Sequence, residues 1–383
     1  MPDDALPEDL ENPDLAIALT RYSPYVSGLT NTARDLAEGL AARGRTVTVV
    51  TGHFDSGLPL EEEINGVRVL RAPVLARVGR GVVSPQLVAL GRRTLGRARV
   101  ASLQLPMLEA GAIATGLRTP LVSTYHCDVT LPPGLVNDVQ RVVVDASNRL
   151  AMRRSAAVTV TSEDYARHSR MWPSIEPSMH VVAPLCPAPP PGRPNYRETD
   201  GPHIGFLGRI LREKGLKHLV RAFRAVPDPD ARLLIGGDYS HVAGGSVVSQ
   251  VRAAMGDDER IRLLGFVPEE RIGDFYASLD VFTLPSVNAF EAFGIVQAMA
   301  MLAGVPVLAS DIPGVRQPVV QTGFGTLVPP ADEPAITRAL QELYTNPPDR
   351  TLGLGRAQRA FSVENVLDAY EVLLDKAVSA RGR

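Results

Sequence analysis

The sequence predicts two doubly wound α/β domains, on three observations. Its 383 residues at roughly 150 residues per domain make two or three domains. Short apolar runs rich in β-branched residues alternate with segments of helical spacing, as in a parallel sheet covered on both faces. A Pro-rich stretch without periodicity, PLCPAPPPGRPNYRETDGP, divides the alternation into two series.

The first series opens with the apolar run Leu15 to Leu19, read as a buried strand. Asn31 to Arg43 carries Ala33, Leu36, Ala37, Leu40 and Ala41 at helical spacing and stops at Gly44. Thr46 to Val50 is the next strand, and a crossover of this length suits parallel pairing. Val67 to Leu70, Thr119 to Thr124 and Ala156 to Thr161 add strands. These make an N-terminal domain over 1–184 and a linker over 185–202. The second series fills 203–365. Its strands are His203 to Leu207, Ala231 to Ile235, Ile261 to Leu264, Val281 to Leu284 and Val307 to Ala309. Its helices are Leu216 to Ala225, Ser246 to Met255, Glu269 to Leu279 and Phe293 to Leu302. The end of the chain, 366–383, holds an amphipathic helix over Leu367 to Val378, expected to pack back towards the N-terminal domain.

Composition narrows the function. The 40 Lys+Arg nearly balance 42 Asp+Glu, so a nucleic-acid partner, which needs a basic footprint, is not expected. Two cysteines, Cys127 and Cys186, exclude a disulfide scaffold and a Cys-rich zinc site. The first fifteen residues contain six acids and no base, unlike a signal peptide. No apolar run approaches the roughly 18 residues of a spanning helix. A cytoplasmic protein is the expectation.

In open parallel sheets, ligands bind beyond the carboxyl ends of the strands, so the loops there carry the candidates. Gly208, Arg209 and Lys214 follow a strand and precede a helix. Two cations at that place suit a diphosphate, and equally a solvated basic loop. Phe290-Glu291-Ala292-Phe293-Gly294-Ile295 leads into a helix whose unpaired amides suit phosphate oxygens. Glu291 suits sugar hydroxyls there, or simply the helix dipole. In the first half, Ser27-Gly28-Leu29-Thr30 opens a helix. Ser123-Thr124-Tyr125-His126-Cys127-Asp128 ends a strand and directs a polar cluster beyond the sheet.

Taken together and in this order, these segments resemble the family 4 glycosyltransferases, retaining enzymes with the GT-B fold. The resemblance runs from RYSPYVSGLTNTARDLAEGLAARGRTVTVVT through TYHCD and GFLGRILREKGLKHLVRAF to PSVNAFEAFGIVQAMAMLAGVPVLASDIPG. It implies two Rossmann-like domains facing across a cleft. It implies hexosyl transfer from a nucleotide-diphosphate sugar, as co-substrate and without cofactor or metal, to a small-molecule, lipid-linked or glycan acceptor. Carried over residue by residue, Gly28 approaches the donor diphosphate and His126 lies by the donor sugar. Arg209 and Lys214 bind the diphosphate and stabilise the leaving group, and Glu291 meets the sugar hydroxyls. Backbone amides of Phe293, Gly294 and Ile295 contact sugar or phosphate, and Phe266 and Val267 lie beside the base. The acceptor is expected near Tyr22, Tyr25 and Asp128.

One position departs from the family pattern. Eight residues after Glu291, where a second glutamate binds the ribose hydroxyls, stands Met299. A two-residue gap would put Gln297 there instead, but the ungapped alignment fits both flanks. A thioether is a poor acceptor, and losing a charged one removes about 1.5–3 kcal/mol. Met299 therefore keeps a second class open, a non-catalytic or impaired sugar-nucleotide-binding protein. A nucleotide-sugar epimerase shares the architecture and is a third. Residues 71–99 carry Arg71, Arg77, Arg80, Arg92, Arg93, Arg97 and Arg99 without an acid. That stretch suits an anionic acceptor, weak contact with a membrane surface, or an ordinary solvated face.

Overall fold

The computed structural model describes residues 12–78, 81–131, 134–238, 247–288 and 291–381. The predicted helix start at Ser246, together with Arg80 and Phe290, lies outside them. The chain divides into two compact units, Met1–Leu185 with Val366–Arg383, and Cys186–Asn365.

The N-terminal unit is built on strands β1 (Leu15–Ala18), β2 (Val47–His53), β3 (Glu61–Ile64), β4 (Val67–Pro73), β5 (Ala76–Val78), β6 (Gly81–Val83), β7 (Val100–Leu105), β8 (Leu121–Tyr125), β9 (Ala157–Val160) and β10 (Met179–Val181). Its helices are α1 (Gly28–Ala42), α2 (Pro85–Arg97), α3 (Ala110–Ala114), α4 (Leu135–Arg154), α5 (Glu163–His168) and α6 (Trp172–Ile175). Eight strands form one sheet in the order β10-β9-β8-β7-β1-β2-β4-β3, parallel except that β3 runs against β4. Its central strands β1 and β7 are buried along their whole length; β1 therefore reads as an apolar run rather than an alternating one, whereas β7 buries the polar Ser102 and Gln104 as well. The α1 helix starts where Ser27 caps it, accepting from the Thr30 N–H at 3.1 Å.

The C-terminal unit contains strands β11 (His203–Leu207), β12 (Arg232–Gly236), β13 (Ile261–Gly265), β14 (Val281–Leu284), β15 (Val307–Ser310) and β16 (Gly325–Val328). Its helices are α7 (Leu216–Arg224), α8 (Val248–Met255), α9 (Glu269–Ala277), α10 (Ile295–Leu302), α11 (Gln317–Thr322), α12 (Glu333–Thr345) and α13 (Arg350–Phe361). Its six strands, all parallel, run β13-β12-β11-β14-β15-β16. The strand order reverses between β11 and β14, the switch point where such sheets leave a crevice. Residues 186–202 carry no regular element, but they are laid against this unit. Arg193 N–H and Asn195 Nδ2 both donate to Asp274, at 2.9 and 2.8 Å, and a Cβ on Gly192 would lie 2.0 Å from the Gly273 carbonyl carbon.

The last helix, α14 (Val363–Arg381), packs on the N-terminal unit. Arg43 meets Asp368 and Glu371, both at 2.7 Å, and Arg45 meets Glu371 and Asp375 at 3.0 and 3.1 Å. Leu367 occupies the space above Gly39, where a Cβ would come within 2.9 Å. Tyr370 is buried and hydrogen-bonds Thr124 and Thr159 of β8 and β9.

The basic stretch over 71–99 does not form one surface. Arg71 is fully buried, donating to the carbonyls of Pro59 and Ser23 at 2.9 Å each and pairing with Glu62 at 2.5 Å. Arg92 donates to the Ala112 carbonyl at 2.8 Å. The family of conformations open to a buried arginine is small, so these contacts hold the chain around Ser23 against β4.

Backbone contact between β11 and β12 sets a stability test. Gly237 has φ +153°, and a Cβ there would stand 1.8 Å from the Gly208 carbonyl oxygen. Gly237→Ala is expected to lower unfolding stability by about 2–4 kcal/mol, through strain and overpacking together. Urea unfolding of the two proteins checks it.

Candidate active site

In the C-terminal unit the candidate residues cluster at the carboxyl ends of β11 to β14. Gly208 leaves β11 at φ +149° and donates to the Gly236 carbonyl at 3.0 Å. Arg209 follows and is exposed, and its guanidinium makes no hydrogen bond or ion pair among the described residues. A short turn over Arg212–Lys214 then closes at Gly215, which is left-handed at φ +67°. No side chain fits there, because a Cβ would lie 2.0 Å from the Pro285 carbonyl oxygen. The Val287 N–H donates to the Glu213 carbonyl at 2.9 Å, tying the loop after β14 to the loop after β11.

That contact brings Lys214 to Glu291. The ammonium of Lys214 donates to Glu291 Oε2, and both side chains are mostly shielded. Two residues expected on different parts of a ligand therefore touch each other. The pair leaves both groups usable: an ammonium has three donors and a carboxylate about four acceptor sites.

Beside the pair, Gly294 precedes α10 in the left-handed region at φ +81°, with no side-chain cap on the helix. A Cβ on Gly294 would lie 2.3 Å from Leu284 Cδ2 and 2.8 Å from Gln297 Nε2. Phe293 is buried edge-on against Phe361, centroids 5.7 Å apart. Gln297, which sequence reasoning weighed only as a misplaced glutamate, is fully buried. Its amide donates to the carbonyls of Phe293 at 2.6 Å and Val315 at 2.8 Å. It thereby holds the start of α10 to the loop after β15. Ile295 and Met299 lie on the half-exposed side of α10. Beyond β13, Phe266 is 73% exposed and Val267 is buried, its methyl filling the space above Gly236.

Asp228-Pro229-Asp230, the one sequence that resembles a metal-binding Asp-x-Asp, is a turn. The Asp228 carboxylate accepts from the Asp230 N–H at 2.9 Å. It leads into the amino end of β12, the edge of the sheet away from the cluster.

In the N-terminal unit Gly28 is the first residue of α1, and a Cβ there would meet nothing within 4 Å. Tyr25 is half-buried, edge-on to Phe54 and under the Arg21 guanidinium at 4.7 Å. Tyr22 is a correction to the expected acceptor contacts. It has no exposed surface, and its hydroxyl is buried with no partner among the described residues, so it belongs to the core. The apolar ring of a tyrosine beside a strand end is drawn inward as readily as outward.

His126 and Asp128 follow β8. His126 is buried, and its Nε2 lies 2.8 Å from Gln104 Oε1 on β7. Burial pulls the imidazole pKa down to about 4, so the ring is neutral at pH 7, with Nε2–H donating and Nδ1 left as acceptor. Asp128 is the hub of a second group. It accepts from Tyr125 Oη at 2.5 Å and Ser169 Oγ at 2.8 Å, and Arg170 stands 3.6 Å away. Tyr165 Oη in turn accepts from the Asp128 N–H at 2.9 Å. Gln104, Tyr165, Ser169 and Arg170 were not anticipated. Only the isolated polar residues in VASLQL hinted at one of them.

Two family matches divide the chain where the units divide. Residues 27–186 match the family described as glycosyl transferase 4-like domain, and 201–346 that described as glycosyl transferases group 1. The chain is 30% identical over 335 residues to a phosphatidyl-myo-inositol mannosyltransferase of Mycobacterium leprae, covering 83% of this chain and 84% of that one. It is 29% identical to a 2-deoxystreptamine N-acetyl-D-glucosaminyltransferase of Streptomyces fradiae, over 92% of each chain. Among solved structures it resembles Anabaena HepE in complex with UDP and glucose, with a TM-score of 0.69, 17% identity, and coverage of 95% of this chain and all of that one. The fold class is GT-B. The chain belongs to the family 4, group 1 glycosyltransferases, and is a transferase of sugars.

The neutral His126 gives a pH test. Its folded pKa of about 4 lies below the unfolded value of about 6.5. The stability it contributes is complete above pH 6.5 and is lost as pH falls from 6.5 towards 4. His126→Gln should flatten the stability profile across that window, measured by urea unfolding at stepped pH.

Proposed function

We propose that the chain moves a hexosyl group from a nucleotide-diphosphate sugar to a hydroxyl of a cyclitol acceptor, with retention at the anomeric carbon and without a metal. The observation that carries this is the cluster of the exposed Arg209, the Lys214–Glu291 pair and the uncapped start of α10, all at the carboxyl ends of one parallel sheet. Its charges suit a diphosphate and its carboxylate suits sugar hydroxyls. HepE, named with UDP and glucose, supports a nucleotide-sugar donor. The two relatives are named for 2-deoxystreptamine and phosphatidyl-myo-inositol; both acceptors contain a polyhydroxylated or aminated cyclohexane ring, which supports an acceptor of that class here.

In this reading the bond from the anomeric carbon to the diphosphate oxygen breaks as negative charge grows on that oxygen. Arg209, Lys214 and the first amides of α10 stabilise the charge. The acceptor hydroxyl attacks from the face the diphosphate leaves, and its proton passes to the departing phosphate oxygen. Glu291 accepts hydrogen bonds from the sugar while holding Lys214 in place. The exposed ring of Phe266 is suited to stacking on the base. On the acceptor side, Asp128 and Tyr25 supply a carboxylate and an aromatic face, and the neutral His126 offers no charge to the sugar.

Thermal shifts with UDP, GDP, ADP and dTDP identify the donor nucleotide, since a ligand of the native state raises the midpoint. Turnover is then followed with myo-inositol, its phosphate and 2-deoxystreptamine. Arg209→Ala is expected to lower turnover about a hundredfold or more, and EDTA to leave it unchanged. Undiminished turnover in Arg209→Ala, or conversion of the donor sugar without any acceptor, would sink the proposal. Met299→Glu is expected to tighten nucleotide-diphosphate binding about tenfold or more, because it restores a charged acceptor for the ribose. Equal affinity would mean that the ribose lies elsewhere.

A further inference from the structure

The α4 helix of the N-terminal unit leaves an apolar stripe uncovered. Leu135, Val136, Val139, Val142, Val143 and Leu150 are 86, 76, 63, 58, 49 and 41% exposed. They recur every three or four residues, so they share one side of the helix. The helix cannot roll this side inward, because the other side is fastened. Asn148 Oδ1 accepts from the Met107 N–H at 3.1 Å. Ser147 Oγ accepts from the Gly111 N–H at 2.9 Å and donates to the Leu108 carbonyl at 2.5 Å. Arg170 grips Asp145 at 2.6 Å. Surface helices of monomers rarely present so many large aliphatic side chains in a row.

We infer that this stripe is an interface between two copies of the chain, paired antiparallel through α4. The stripe is complementary to itself. Turned end for end about the midpoint of Val142 and Val143, it sets Leu135 opposite Leu150, and the larger Val139 opposite the smaller Ala146. Two helices can interlock on such a pattern, and a twofold axis repeats each contact. The charges agree. Asp138 and Arg149 are eleven residues apart, close to three full turns, and so flank the stripe on the same edge. The antiparallel arrangement brings Asp138 of one copy within about 3 Å, along the axis, of Arg149 of the other. A twofold axis makes that pair twice. Asp138 already pairs with Arg141 at 3.0 Å in its own helix, and a carboxylate can accept from both. An anionic membrane fits less well. The stripe contains no aromatic residue, and the exposed Asp138 stands beside it.

Sedimentation velocity of the full chain between about 1 and 100 µM tests this, because one helix pair of modest area suits a dissociation constant on the order of micromolar. The expected result is a concentration-dependent dimer. Val139→Asp should weaken dimerisation about a hundredfold or more, by burying an unpaired charge. The position is exposed in the single chain, so its circular dichroism and melting at low concentration should match the parent. Asp138→Arg and Arg149→Asp should each weaken the dimer several-fold, and the two together should restore it. A chain that stays monomeric throughout the range overturns the inference, as does a Val139→Asp dimer of unchanged affinity. Failure of the charge swap to restore the dimer overturns the antiparallel register. Co-sedimentation of a monomeric parent chain with anionic phosphatidylglycerol vesicles, lost in Val139→Asp, would assign the stripe to a membrane instead.

Discussion

At the carboxyl edge of the C-terminal sheet, main chain lies directly against main chain. Gly237 rests on the carbonyl of Gly208, and Gly215 rests on the carbonyl of Pro285. No residue with a Cβ could stand at either place without displacing a peptide. The consequence is geometric. The loop after β11 and the loop after β14 are pressed together, and only then can Lys214 reach Glu291, 77 residues further along the chain. The ion pair is made possible by two missing side chains. A partly shielded pair of this kind adds little net stability by itself. Its effect is to fix where a positive and a negative charge stand relative to the start of α10.

The N-terminal unit solves a different problem. It places polar groups at the end of β8 and then withdraws them from water. The His126 Nε2 meets the Gln104 amide oxygen, and burial decides the charge of the ring. Asp128 instead gathers two hydroxyls, with an arginine beside it. Two residues that are two apart in sequence thus meet different surroundings, one an amide in the core and the other a group of hydroxyls and a guanidinium. Those surroundings are set by the strands and helices around each residue rather than by its type.

The same dependence explains what could be read from the sequence and what could not. Alternating apolar runs and helical spacings marked β1, β2, β11, β14 and α7 clearly, because both faces of these strands are buried and their composition is forced. The strand β7 was missed, since Ser102 and Gln104 interrupt its apolar pattern; both are buried, but they bond to each other and to His126. Helix α4 is equally illegible, because most of its apolar residues face outward rather than forming the stripe of a core-facing helix. In the site, glycines and charges that follow strands were legible as loops. The mutual pairing of Lys214 with Glu291 and the burial of Tyr22 depend on contacts distant in sequence, which spacing does not encode. Gln297 illustrates the limit well. As a letter it resembled a displaced acid, whereas in place it is a clamp between two backbone carbonyls.

The return of α14 to the N-terminal unit makes that unit discontinuous along the chain. Residues that complete it, Asp368, Tyr370 and Glu371 among them, are synthesised only after all of the C-terminal unit. During translation, the first 185 residues therefore emerge with the space above Gly39 not yet filled by Leu367 and with Arg43 and Arg45 without the acids they later meet. The C-terminal unit is contiguous, 186–365, and can close first. Order of synthesis and order of completion are thus reversed, and the unit made first is the one finished last.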